Sequence, residues 1–149
     1  MAFLSRSVSS IVIVFLSAFN AQADDYLKML LEQEDKDGRF LTEQYKQDWH
    51  NGREYFVNLH RYKFKDVNHW MEKQVYLNSG KLLLGAASIG LDALPIEGFS
   101  PEILDDELGL IEKGFTGVII IALGRRGTDD FNASLPKSRL PDTKVFSEI

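Results

Sequence analysis

The chain has 149 residues, room for one ordinary domain and hardly two. Apolar residues make up 44% and charged ones 26%, globular values that exclude wholesale disorder and fibrous repeats. The absence of cysteine excludes disulfides, a thiolate nucleophile, iron–sulfur clusters and cysteine-held zinc, and a formal charge of −5 argues against a non-specific nucleic-acid or anionic-membrane binder.

Residues 1–23 read in two ways. Arg6, an apolar run over Ile11–Phe19 and Ala21-Gln22-Ala23 fit a secretory signal with its cleavage site, which would make a small exported binding protein. The β-branched and aromatic stretch Ile11-Val12-Ile13-Val14-Phe15 equally suits a central strand covered on both faces. Neither reading gives a transmembrane helix, because the run is too short to span a bilayer.

Asp24 and Asp25 can cap a helix whose apolar positions are Tyr26, Leu27, Leu30 and Leu31 and which stops near Asp37-Gly38. Asp35-x-Asp37 is set like the start of a calcium loop, but Arg39 stands where the third oxygen ligand belongs, so calcium is rejected. Thr42 can cap a second helix running to about Phe64. Tyr45, Trp49, Tyr55, Phe56, Tyr62 and Phe64 load it with rings, which suits either a core or a half-exposed cover over a planar ligand. Trp70–Ile89 reads as a third, mostly buried helix, apolar on nearly every face, with Gly90 just past its end. Such a helix belongs at a domain centre or a subunit interface.

Residues 91–99 read as extended, and Ser100-Pro101-Glu102 starts a short helix ending near Gly109. Gly117 opens Val118–Leu123, an unbroken apolar run expected of a central strand. The remainder is irregular and needs something to wrap around, a partner subunit or a ligand.

The chemistry-bearing residues are few. His50, His60 and His69 lack metal-ligand spacing, no serine stands in a nucleophile elbow, and the glycines form neither a Walker loop nor a dinucleotide fingerprint. Lys137 and Arg139, two apart between Pro136 and Pro141, would point to one side of an extended backbone, as a phosphate site or as a solvated basic turn. In PIEGF (95–99), Pro95 fixes φ and Gly98 lets backbone approach a flat ligand closely; the alternative is a plain strand-to-helix connection.

The ordered series GRF (38–40), KQVYLN (73–78), LLG (83–85), GLDALPIEGF (90–99), ILDDELGLIEKGF (103–115) and DFNASLPKSRLP (130–141) resembles the oxygen-insensitive NAD(P)H nitroreductases. These are FMN enzymes that also include flavin and dihydropteridine reductases, and the resemblance runs from about Val12 to Ile149. It implies an α+β fold with a central mixed sheet wrapped by helices, and a homodimer with one FMN in each interface cleft. It implies that residues 1–149 form one partial domain, the C-terminal two-thirds of the family's. Pro95, Ile96, Glu97 and Gly98 would line the flavin ring, with amides near Glu97 aimed at N5. Lys137 and Arg139, with Ser138 between them, would grip the phosphate. Arg39 would meet NAD(P)H, while Tyr55 and Phe56 would close over the substrate.

No side chain need serve as catalytic acid or base. The implied scheme is ping-pong, with NAD(P)H first and then a nitroaromatic, quinone, flavin or pterin. The family's N-terminal Arg/Ser/Lys cluster has no counterpart here, so the resemblance implies an N-terminally truncated chain of doubtful activity. It also turns the 11–15 stretch into a strand and the location into cytoplasm. The rivals are a flavin or dihydropteridine reductase, and a non-catalytic remnant that only dimerises.

Overall fold

The computed structural model describes residues 11–18 and 23–148. The core is organised by β3 (Phe115–Gly124), which lies between β1 (Ile11–Ala18) and β2 (Asp92–Ile96). Its run of Val, Ile, Ala and Leu supplies apolar side chains to both faces, which only a strand flanked and covered can use. Ile121 is fully buried, opposite Ile13 on one side and Pro95 on the other. Pro95 cannot donate to a ladder, and β2 is accordingly an edge of the described sheet. All pairs are antiparallel, so among the described residues the sheet is not mixed. The register shifts between Phe15 and Leu16, a bulge in the β1 pairing.

The 11–18 run is therefore a strand, but at the sheet edge rather than its centre, and Ile11 and Val12 are exposed. The proposed cleavage motif falls mostly outside the described residues, and Arg6 does so entirely. No helix among the described residues is long and apolar enough to cross a membrane.

One face of β3 packs on α3 (Val67–Ser88) through Val75, Leu82, Leu83, Ile119 and Ile121. This helix begins three residues before Trp70, because Asp66 already accepts the Trp70 N–H (2.8 Å). It ends as expected, with Gly90 at φ +74. The expectation that α3 is mostly buried fails: only Val67, Val75, Ser79 and Ala86 are buried, while Leu77, Leu84 and Ile89 stand out. A helix apolar all round has more than one apolar side, and this sheet covers one.

After β2, Ser100 caps α4 (Pro101–Leu108), accepting the Ile103 N–H, and Gly109 closes it at φ +58. Asp105 of α4 is buried and accepts from Thr116 Oγ1 (2.7 Å) and the Gly117 N–H (2.8 Å), locking α4 to the start of β3. Gly117 lets α4 approach closely: a Cβ there would come within 2.7 Å of Leu104 Cδ2, and the Leu104 side chain would have to shift.

A second unit is the hairpin of α1 (Ala23–Lys36) and α2 (Glu43–Asn58). Thr42 caps α2 through the Tyr45 N–H (3.1 Å). The predicted continuation to Phe64 changes character, because Leu59–Phe64 is a π-helical turn closed by Lys65 at φ +56. Leu27 and Val57 pack together with Trp70 of α3 as their outer neighbour. Elsewhere the hairpin is held by ion pairs: Arg53 is bidentate on Glu34 (2.7 and 2.8 Å), Lys46 meets Asp35 (2.6 Å) and Arg61 meets Asp24 (3.1 Å).

Ile121→Ala should cost about 2–5 kcal/mol, read as a lower denaturation midpoint with unchanged slope. The Arg53 hydrogen bonds hold the Glu34 carboxyl below its ordinary value, with the Arg53 and Arg39 charges adding to this against a smaller cost of burial. Its stabilisation is therefore full above the unfolded carboxylate value of ~4.3 and is lost as pH falls through the folded one. Glu34→Gln should melt earlier than the parent at neutral pH, and the two melting curves should converge on acidification.

Candidate functional site

The ledge foreseen at residues 95–98 forms at the end of β2. Pro95 and Ile96 complete the ladder, and Glu97 and Gly98 lie just beyond it. The Glu97 carbonyl accepts the Phe99 N–H (2.9 Å), a three-residue turn centred on Gly98. Pro95, Glu97 and Gly98 are exposed, and a Cβ added at Gly98 would meet no atom within 4 Å. Open room thus faces the turn. The Glu97 side chain accepts a hydrogen bond from the Tyr76 phenol of α3 (2.6 Å). That bond, aided by burial and the Glu97 and Glu72 charges, raises the phenol above its ordinary titration range.

At the opposite end of β2, Asp92 accepts from the Arg126 backbone N–H (2.7 Å) and from its Nε (3.0 Å) and Nη2. These bonds hold the Asp92 carboxyl low, and the charges of Arg126 and Lys137 lower it further. From Asp92 to Glu97 the strand advances by about 16 Å. Arg139 donates to the Ser138 carbonyl (2.8 Å), so its guanidinium is turned back on its own chain. Every described residue from Thr128 onward is exposed, with only a short turn at Phe131–Ser134 and α5 (Asp142–Val145) as regular structure.

Arg39, Tyr55 and Phe56 belong to the hairpin. Arg39 is in the α1–α2 connection, 4.0 Å from Glu34. Tyr55 and Phe56 are exposed and meet edge to face (5.4 Å, 79°). The hairpin packs on itself and on α3 rather than on the sheet, so within one chain these three do not join the ledge.

The histidines are tied up locally. His60 stacks on Trp70 (4.3 Å, 7°) with Nδ1 2.7 Å from Asp66, while His50 and His69 lie near Glu54 and Glu72. No metal-holding cluster is present among the described residues.

Sequence reasoning missed Tyr76 and Asp92. Tyr76 lay inside the quoted KQVYLN segment, but nothing in helical spacing says which carboxylate a phenol reaches. Asp92 opens the proline-bearing strand β2, and its partner is 34 positions away.

The residues fit a flavin mononucleotide in part: the open room at Gly98 can take a flat ring and Lys137 is a free-standing candidate for an anion, whereas Arg139 as placed is turned onto the Ser138 carbonyl.

No protein-family model matches the sequence. Among curated relatives, an oxygen-insensitive NAD(P)H nitroreductase of Enterobacter cloacae is 50% identical over 140 residues, 94% of this chain and 64% of the relative. One of Salmonella typhimurium is 49% identical over 141 residues, 95% and 64% of the two chains. The major NAD(P)H-flavin oxidoreductase of Aliivibrio fischeri is 30% identical over 139 residues, covering 93% and 61%. The chain thus spans a little under two thirds of the length of these relatives. Among solved structures, a nitroreductase-like protein of Streptococcus mutans aligns at TM-score 0.72 and 19% identity, covering 93% of this chain and 62% of that one. A protein of Exiguobacterium sibiricum described as a nitroreductase in complex with FMN aligns at 0.59 and 21%, covering 93% and 61%. The shared fold and the extent of identity agree: along almost its whole length this chain is similar to the oxygen-insensitive NAD(P)H nitroreductases, and it has the fold of a nitroreductase-like protein.

Proposed function

We propose that this chain carries the flavin face of an FMN-dependent NAD(P)H oxidoreductase that reduces nitroaromatics, quinones or related planar acceptors. The observation that carries the reading is the exposed turn at the end of β2, where the Glu97 carbonyl closes on the Phe99 N–H and Gly98 leaves open room. That open backbone step suits a ligand with a flat ring. FMN, when bound, supplies hydride acceptance and two-electron transfer, and the protein supplies orientation and electrostatics. Pro95 and Ile96 would support the ring, and the amides of Glu97 and Gly98 would face its nitrogen-bearing edge. Lys137 and Arg139, with Ser138 between them, would hold the phosphate.

A second copy of the chain completes the reading. Leu77 and Leu84, seven residues apart, leave an exposed apolar flank on α3, and the described residues from Thr128 onward are all exposed. A partner would bring Arg39 to NAD(P)H, and Tyr55 and Phe56 over the acceptor, from a hairpin that does not reach its own ledge. The likeness to the Aliivibrio flavin oxidoreductase favours free flavin as a second acceptor class.

FMN and riboflavin titrations followed by fluorescence quenching test this. Lys137→Ala and Arg139→Ala should each weaken FMN about 10–100-fold, more at low salt, and leave riboflavin unchanged. Equal affinity of the parent chain for FMN and riboflavin would overturn the phosphate role. Phe56→Ala should raise KM for the acceptor with little change in KM for NAD(P)H; an equal rise in both argues against a lid position.

A further inference from the structure

Tyr76 and Glu97 lie 21 positions apart on different elements, yet the phenol donates to the carboxylate over 2.6 Å. Among the described residues the Tyr76 phenol is the side-chain hydrogen-bond partner of Glu97. The same residue is tied through its backbone, since its carbonyl closes the turn around Gly98 (2.9 Å). Glu97 is thus held at two points, and its side chain is drawn toward α3 rather than left to swing across the ledge. Fixing a side chain and the adjacent carbonyl together restricts the rotation of the peptide planes between them. Those planes carry the amides of the ledge.

Tyr76 is also well founded. It stands on the helix whose Val75, one residue earlier, packs against Ile119 and Ile121. Tyr76 is itself 44% exposed, so it is the helix backbone, held to the sheet through Val75, that fixes where the phenol starts. Lys73, Leu77 and Gly80 border the same shallow hollow on α3.

We propose that Tyr76 is a positioning residue, which by holding the Glu97 carboxylate against α3 fixes the aim of the Glu97–Gly98 amides. The inference rests on the flavin reading above. It adds a residue that touches no ligand itself and acts through Glu97.

The test is a double-mutant cycle with FMN affinity as its readout, supplemented by titration of the phenol without flavin. Tyr76→Phe should weaken FMN binding about 3–10-fold in the parent. In the Glu97→Ala background the same substitution should change affinity by less than roughly twofold. The parent-minus-Tyr76→Phe absorbance difference should titrate above the ordinary tyrosine value of ~10, and Glu97→Gln should return it toward that value. An equal loss in both backgrounds would assign Tyr76 a packing role and overturn the inference. So would parent-like affinity of Tyr76→Phe, or a phenol titration unmoved by Glu97→Gln. A parent chain that binds no FMN refutes the flavin reading and the inference with it, whereas binding untouched by Tyr76→Phe refutes the inference alone.

Discussion

The apolar run of β3 is the constraint from which the rest follows. A strand with Ile119, Ile121 and Ala122 buried must be paired on both edges and covered, and β1, β2 and α3 answer that need. Placing β2 beside it sets the ledge. The ladder ends with Ile96 opposite Ile120, and the chain leaves the sheet at Glu97. Asp105 fixes the other end of β3 by satisfying the Thr116 hydroxyl and the Gly117 N–H. A burial requirement on one strand thereby positions a backbone turn that is itself exposed.

The hairpin of α1 and α2 obeys different physics. Its buried apolar pair is small, Leu27 with Val57, and ion pairs join its two helices, beside ring contacts such as Phe40 on Tyr45. It joins the sheet-bearing part through the π-helical turn and the stack of His60 on Trp70. Exposed ion pairs contribute little individually, so this unit is less firmly fixed than β3 and α3.

Local rules were legible wherever the signal was local. Thr42 and Ser100 cap the helices expected of them, Gly90 and Gly109 end theirs, and Val118–Leu123 forms the central strand. Three features were hidden because each depends on distant partners. Whether Ile11–Phe15 is central or an edge depends on which strands lie beside it. Whether α3 is buried all round depends on how many of its sides the fold covers. The π-helical turn depends on Trp70 receiving His60, which no helical period announces. Within the site, the ledge could be read from Pro95 and Gly98, whereas Arg139, expected parallel to Lys137, is turned onto the Ser138 carbonyl. The extended backbone places two side chains on one side but does not choose their rotamers.

The long uncovered carboxyl-terminal stretch has a practical corollary. Lys137 and Arg139 are both exposed, each followed by a residue other than proline, which makes them ready trypsin scissile positions on this chain. Whatever anion or neighbouring surface engages those two cations must also shield the peptide bonds beside them. Protease resistance of this stretch would therefore report its engagement without any spectroscopic handle.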